Sequence, residues 1–193
     1  MLDKNDLKSM QKEAADFDSQ REDLIKKSRD LLKLSKQIIY SVHRDDLKQA
    51  EKFAEQINAK FNEINGIAAK NSKLGEVGAY KVAVGEYVEA VLYYEFVKNK
   101  KIPASKELKV SVFNYLLGLC DLTGELVRKA IFLAGKDKSK EVLVIKDLVD
   151  EIYGELLKFD VRENELRKKL DSVKYDLKKL EDLVLDLKLK GKL

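Results

Sequence analysis

The stretch VGEYVEAVLYYEFV, residues 84–97, is apolar on nearly every side when it is placed on a helix. A helix with so wide an apolar surface is buried in a core or in an interface. The same stretch carries Glu86 and Glu89, which are three residues apart and therefore share one helix face. An ionised carboxylate in a water-poor setting is costly unless a partner compensates it. The stretch predicts a central buried helix with two unexplained acidic groups.

Apolar residues recur at helical spacing along almost the whole chain of 193 residues. Charged residues make up 37 % of the chain, which has one Pro, nine Gly and no Trp, a composition typical of long helices. The pattern predicts an all-α fold, a single-domain antiparallel bundle of about six to seven helices over residues 1–193.

Helix boundaries follow from capping residues and from breaks in the apolar pattern. The predicted helices cover residues 3–42, 47–64, 78–98, 105–134 and 141–159, followed by a last helix. That last helix has a heptad seam, which packs either within the bundle or against a partner. The seam residues are Leu166, Leu170, Val173, Leu177, Leu180, Val184 and Leu187.

Composition also restricts the class of protein. The formal net charge is only +4, so a nucleic-acid site has to come from local patterning. Cys120 lies in an apolar run, which favours a buried thiol over a reactive one. The polar N-terminus is unlike a signal or transit peptide, and charges interrupt every apolar stretch before about 18 residues. We therefore expect a cytoplasmic protein without a membrane span.

A second acidic pair, Asp121 and Glu125, lies on one face of the helix predicted over residues 105–134. Gly118 and Gly124 interrupt that helix, and such glycines permit a second helix to approach closely. Two neighbouring helices would then bring four carboxylates together, which makes sense chiefly around a cation. Ligand sets made of oxygen alone select Mg²⁺ or Mn²⁺. A di-iron bundle site needs two Glu-x-x-His pairs, whereas His43 is the only histidine.

Ordinary ion pairs explain the same residues. Glu125 can pair with Arg128 or Lys129 on its own helix. Glu89 can lie at the surface, and Tyr87 or Tyr93 can donate a hydrogen bond to either glutamate. Residue types alone leave both interpretations open.

A basic stripe runs along the first helix, where Lys26, Arg29, Lys33 and Lys36 follow spacings of three and four, and Arg44 lies near its end. Such rows bind phosphate backbones in nucleic-acid-binding proteins, although most charged stripes are simply solvated faces. His43 is equally ambiguous between ordinary hydrogen bonding and catalysis.

Four segments together resemble the translin superfamily over nearly the whole chain. They are SRDLLKLSKQIIYSVHR (28–44), GEYVEAVLYYEFV (85–97), NYLLGLCDLTGELVRKAI (114–131) and LRKKLDSVKYDLKKLEDLVLDLKLKG (166–191). The two central segments are similar to the catalytic branch of the family, translin-associated factor X, while the last is closer to translin itself. This mixture resembles an archaeal-type, self-assembling member with one kind of subunit.

The resemblance implies an Mg²⁺-dependent endoribonuclease, with Mn²⁺ as a substitute ion, that acts on short RNA inside a hollow homo-octamer. Glu86, Glu89 and Asp121 would hold the ion. Glu125 would be either a fourth ligand or a residue that supports the other three without contacting the ion. The phosphate-binding residues would be Arg29, Lys33, Lys36, Arg44 and Arg128. The alternative is a translin-like scaffold that binds single-stranded RNA or DNA without cutting it.

Overall fold

Residues 2–193 are described by a computed structural model, and these residues form eight helices and no strand. The all-α prediction is confirmed, and the helix count exceeds the predicted six to seven because two single-turn helices occur in the connections. The helices are α1 (Lys4–His43), α2 (Leu47–Ala68), α3 (Ser72–Gly75), α4 (Gly78–Asn99), α5 (Ser105–Leu108), α6 (Val112–Gly135), α7 (Ser139–Leu156) and α8 (Asn164–Leu189).

The helix predicted over residues 105–134 is broken near its start. Lys109 has φ +56°, a left-handed conformation that ends α5. Ser111 then begins α6, because its hydroxyl oxygen accepts a hydrogen bond of 3.2 Å from the backbone N–H of Asn114. The sequence pattern missed this break because the apolar periodicity continues across it.

The stretch that opened the sequence analysis lies in α4, which is packed between α1 on one side and α6 on the other. Ten of its side chains are buried, among them Val88, Leu92 and Tyr93. The prediction of a central buried helix is confirmed, and its two neighbours are the helices that carry the basic stripe and the second acidic pair.

The heptad seam of α8 packs within the chain. Six of the seven seam residues are buried, while Leu170 is partly buried. The packing partners of α8 are α6 and α7. The seam therefore packs within the bundle, which is one of the two roles that the sequence left open.

The first turns of α1 extend beyond the bundle, since residues 2–16 are all exposed. The buried face of α1 begins at Leu24 and continues to Val42, where α1 contacts α2 and α4. Among the helices of residues 2–193, none combines the length and the low charge that a bilayer crossing requires.

Candidate metal and nucleic-acid site

Close packing of α4 against α6 positions the acidic residues. An added Cβ at Gly118 would lie 2.5 Å from Cγ1 of Val88 and 3.1 Å from the backbone nitrogen of Glu89. No larger residue fits there without a shift of one helix, so the predicted close approach occurs at Gly118. At Gly124 an added Cβ would lie 3.7 Å from Oδ2 of Asp176, an ordinary contact. The crossing point of the two helices is therefore Gly118, one turn before the acidic pair of α6.

Glu89 is the most buried of the four predicted ligands, with 9 % of the residue exposed. Within residues 2–193 its carboxylate has no hydrogen-bond or ion-pair partner. Burial raises the pKa of Glu89 to about 8, and the charges of the other three carboxylates add to the rise, which Lys169 only partly offsets. The interpretation that placed Glu89 at the surface is wrong, and the four carboxylates lie close enough to repel one another.

Two of the other carboxylates face lysines from neighbouring helices. Lys169 of α8 forms an ion pair with Asp121. The Nζ atom of Lys36 lies 4.0 Å from Oε1 of Glu86. Burial nevertheless raises the pKa of Glu86, because the charge of Lys36 does not fully compensate it. The two ammonium groups partly neutralise the carboxylates of Asp121 and Glu86, as a bound cation would.

Glu125 is held by His43, whose Nε2 atom forms a hydrogen bond with Oε2 of the carboxylate. The other ring nitrogen, Nδ1, lies 3.1 Å from the hydroxyl of Tyr93. Tyr93 is fully buried, and burial raises the pKa of its phenol well above the usual range. An ionised carboxylate can only accept, so Nε2 of His43 donates to Glu125, and in the neutral ring Nδ1 then accepts from the Tyr93 hydroxyl. Arg128 stands 3.9 Å from the same carboxylate oxygen, as one ion-pair interpretation predicted.

Other predicted pairs are absent from the site. Lys129 does not reach Glu125 but contacts Oδ1 of Asp45 at 2.6 Å. Tyr87 donates its hydroxyl proton to Oδ1 of Asn58 at 2.9 Å rather than to a glutamate. Local ion pairs within one helix therefore explain only part of the acidic cluster.

Two cavities open beside the carboxylates, and Glu86 borders both. The larger has a volume of about 320 Å³ and is also lined by Glu89 and Glu125. The smaller, of about 160 Å³, is lined by Glu86 together with Asp121 and Lys169. Each of the four carboxylates therefore borders a cavity that a small molecule or ion can enter.

The donor set fits a hard divalent cation in its chemistry. All four side chains offer carboxylate oxygen, and Glu89 is a buried carboxylate without a compensating cation. Among residues 2–193, this structure has no group of three or more His, Cys, Asp or Glu side chains arranged to bind a metal ion. Occupancy by a metal would therefore require the contacts of Asp121 with Lys169 and of Glu125 with His43 to loosen.

The predicted basic stripe lies on the exposed face of α1. Arg29, Lys33 and Lys36 border a shallow, open depression on the surface of α1 together with Tyr40, which we call the basic groove. Arg44, also exposed, donates a hydrogen bond of 3.1 Å to the Tyr40 hydroxyl. Lys36 and Tyr40 border the larger carboxylate cavity as well. The basic groove is thus continuous with the acidic site.

Lys169 is a part of the site that the sequence did not single out, because it precedes a seam residue of α8 and resembles an ordinary solvated lysine. Tyr93, which the sequence offered as a donor to Glu89 or Glu125, contacts His43 instead. Only their helix packing brings them to Asp121 and His43. The buried thiol of Cys120 agrees with the sequence interpretation, and burial raises its pKa to about 12.

A family model described as the Translin family matches residues 19–191. The chain belongs to the translin family. An uncharacterised protein of Methanocaldococcus jannaschii is 32 % identical over 167 residues, which is 81 % of this chain and 71 % of that protein. Translin-associated protein X of Rattus norvegicus is 25 % identical over 227 residues, covering 95 % of this chain and 78 % of that protein.

Solved structures share the same architecture. The crystal structure of apo-NeC3PO has a TM-score of 0.88 and 28 % identity, covering 96 % of this chain and 97 % of that one. AfC3PO in complex with duplex RNA has a TM-score of 0.85 at 20 % identity, over 95 % and 97 % of the two chains, a likeness that shows the fold alone. The family resemblance that the sequence indicated is confirmed.

Proposed function

We propose that this protein is an Mg²⁺-dependent endoribonuclease that cuts short RNA within a hollow homo-oligomer, an assembly of eight chains. The observation that carries the proposal is Glu89, a buried carboxylate without a partner, surrounded by three further carboxylates. A protein that only bound RNA would have no use for a buried excess of negative charge where phosphates must approach.

In the proposed site Glu86, Glu89 and Asp121 hold Mg²⁺ or Mn²⁺, and Glu125 supports them. When bound, the ion supplies Lewis-acid polarisation of a phosphoryl oxygen and makes water a stronger nucleophile at neutral pH. Glu86 borders both cavities, and burial raises its pKa. One of the glutamates would accept the proton of the attacking water.

The other residues of the site position these groups. His43 holds the Glu125 carboxylate through Nε2, and Tyr93 fixes the tautomer of the ring. Lys169 stands beside Asp121, where its ammonium group would attract an approaching phosphate. Close packing at Gly118 holds the backbone of Glu89 against α6.

RNA would reach this site along the basic groove of α1. Arg29, Lys33 and Lys36 would contact successive phosphates, because phosphate contacts position a strand without reading its sequence. Arg44 and Arg128 would contact phosphates at the ends of the groove. The continuity of groove and acidic cavity supports this path, as does the duplex RNA named for AfC3PO.

Self-association is supported by apolar side chains that the single chain leaves exposed on α6 and α8. The relevant residues are Val112, Ile131, Tyr175, Leu185 and Leu189, each more than half exposed. Large exposed apolar residues commonly mark interaction surfaces. Light scattering should give a mass near eight chains, and the mass of one chain would exclude a hollow shell.

The second candidate function is a scaffold that binds single-stranded RNA or DNA without cutting it. It is favoured by one observation, namely that three of the four carboxylates already have cationic or hydrogen-bonding partners, Lys36, Lys169 and His43. Such a site can persist without a metal ion.

Incubation of the purified protein with labelled single- and double-stranded RNA, in Mg²⁺ or in EDTA, separates the two functions. We expect cleavage in Mg²⁺ alone, and loss of cleavage in Glu89→Ala and Asp121→Ala with the oligomer intact. Binding without any cleavage by the wild type would establish the scaffold. Undiminished cleavage by both variants would show that the carboxylates are not the active site.

A further inference from the structure

A third cavity lies outside the carboxylate site, where the turn between α1 and α2 meets the end of α6 and the start of α7. Its volume is about 180 Å³, several times the ~30 Å³ that one water molecule occupies in the liquid. Apolar side chains also line it, among them Leu133, Val144 and Ile145. We call it the lysine pocket, because four ammonium-bearing side chains line it: Lys100, Lys129, Lys136 and Lys138.

The central feature of the lysine pocket is one carboxylate shared by two lysines. Oδ1 of Asp45 lies 2.6 Å from Nζ of Lys129, and Oδ2 lies 3.0 Å from Nζ of Lys136. Only 7 % of the Lys129 side chain is exposed. Among residues 2–193 neither lysine has another ion-pair partner. Both ammonium groups also stand over the ring of Phe132. Two lysines that share one carboxylate leave a net positive charge at the pocket.

The remaining charges add to this excess. Lys138 pairs with Glu141 at 3.2 Å, whereas Lys100 has no carboxylate partner among the described residues and stands over the ring of Phe96. Four lysines against Asp45 and Glu141 leave two positive charges.

The charge and the shape of the lysine pocket together define the ligand class. A phosphate monoester carries about −1.5 to −2 charge at pH 7 and three acceptor oxygens, which matches the two uncompensated positive charges. A carboxylate, with one negative charge, would neutralise only half of them. The apolar lining residues would contact an organic group attached to the phosphate, such as a nucleoside.

We propose that the lysine pocket binds the phosphate monoester of a nucleotide, either free or at the end of an RNA strand. Lys129 lies one helical turn after Glu125 on α6, and Asp45 follows two residues after His43. A strand anchored by its terminal phosphate would therefore run directly past the carboxylates. This placement rests on the proposed function, whereas the affinity of the pocket for phosphate does not.

The test is calorimetric titration of the full-length protein in EDTA, so that no cleavage occurs. The probes are AMP, adenosine, and one short oligoribonucleotide prepared with a 5′-phosphate, with a 3′-phosphate or with hydroxyl groups at both ends. We expect AMP to bind and adenosine not to bind. One of the two phosphorylated oligonucleotides should bind roughly tenfold more tightly than the oligonucleotide with hydroxyl groups at both ends, as a charge-assisted contact implies.

Lys136→Gln removes one pocket charge at a half-exposed side chain and should abolish the preference for phosphate. The matched control is Lys140→Gln on α7, an exposed lysine that does not line the pocket. Lys100→Gln serves as a second pocket variant on another helix. If wild type binds adenosine and AMP equally, or both pocket variants keep the preference, the proposal is wrong. AMP binding without any gain from a terminal phosphate on the oligonucleotide would assign the pocket to free nucleotides.

An inactive carboxylate site would leave these titrations unchanged. Glu89→Gln should bind AMP like wild type, because Glu89 does not line the lysine pocket. The failure of either proposal can therefore be recognised separately.

Discussion

Gly118 of α6 contacts Val88 of α4 so closely that an added Cβ would lie 2.5 Å from Cγ1 of the valine. The same approach brings the backbone of Glu89 against α6, and it is what places two acidic pairs in one cluster. The geometry of the candidate site therefore depends on a residue that has no side chain.

Replacing Gly118 with alanine should destabilise the protein by about 1–3 kcal/mol, the usual cost of overpacking a core. The measurement is denaturant unfolding at a fixed protein concentration. Gly154→Ala on α7 is the matched control, since an added Cβ there meets nothing within 4 Å. In a helix interior alanine is favoured over glycine, so this control should be neutral or stabilising. Equal effects of the two substitutions would contradict the close contact.

Glu89→Gln should change the pH dependence of stability. The folded-state pKa of about 8 lies above the ordinary 4.5, so the folded protein keeps a proton that the unfolded chain releases. The contribution of Glu89 to stability in EDTA should therefore be fully present below about pH 4.5 and be lost as the pH rises through 8. The variant should lack this loss and exceed wild type at pH 8 by a few kcal/mol at most, on the order set by the shift.

Unfolding midpoints measured in EDTA between pH 5 and pH 8 test this prediction. Glu55→Gln, at an exposed position, is the control and should follow the wild-type curve. Added Mg²⁺ should stabilise wild type at pH 8 but not Glu89→Gln. Parallel curves for wild type and Glu89→Gln would mean that the buried carboxylate carries no charge penalty.

Lys169→Met should increase the affinity for divalent cations. The Lys169 ammonium group is paired with Asp121, so it competes with a metal ion for the same oxygens. The free energy of a partly exposed ion pair of this kind corresponds to a roughly threefold change in the affinity for the divalent cation. Titration of Mn²⁺ followed by electron paramagnetic resonance gives the Kd, and Lys168→Met, an exposed neighbour, is the control. Weaker binding by Lys169→Met would show that Lys169 supports the metal site.

His43 should be the tautomer with its proton on Nε2. Because it is the only histidine in the chain, ring-labelled NMR reports it without assignment. Tyr93→Phe removes the donor to Nδ1, so we expect a changed ring signal and a stability loss of about 1–3 kcal/mol. Tyr87→Phe, which removes a hydrogen bond to Asn58, should leave the ring signal unchanged. If the ring proton of wild type is found on Nδ1, the assigned hydrogen bonds from Tyr93 to His43 and from His43 to Glu125 are wrong.

Lys33→Gln should weaken RNA binding and lower its salt dependence. Each phosphate contact to a single strand contributes about −0.7 to the slope of log K against log salt, so one lost contact should reduce the slope by that amount. Binding in EDTA at several salt concentrations gives the slope. Lys26→Gln is the control, because Lys26 belongs to the basic stripe but does not line the groove. An equal effect of both variants would mean that the groove does not position the strand.

The sequence predicted the fold class and the central helix because apolar periodicity is a local property. The same reasoning identified Glu86 and Glu89, since charge inside an apolar helix is visible without coordinates. It did not find the break between α5 and α6, where the left-handed Lys109 interrupts a pattern that continues on both sides.

The partners of the carboxylates were beyond the reach of local patterns. Helical spacing allows either Arg128 or Lys129 to pair with Glu125, yet Lys129 pairs with Asp45 from a distant turn. Lys169 and Asp121 are 48 residues apart in the chain. Ion pairs of this kind depend on how helices rotate and cross, which side-chain spacing within one helix does not specify.

By itself the sequence determined that the chain is helical, that α4 is buried and that this buried helix contains acidic residues, because helix formation and burial follow from local composition and periodicity. Only the tertiary structure decided that Glu89 remains without a partner while Asp121 and Glu125 acquire Lys169 and His43. The same packing created the lysine pocket from the ends of separate helices. The physical reason is that electrostatic environment is set by the distances between elements, and those distances arise from packing such as that of Gly118 on Val88.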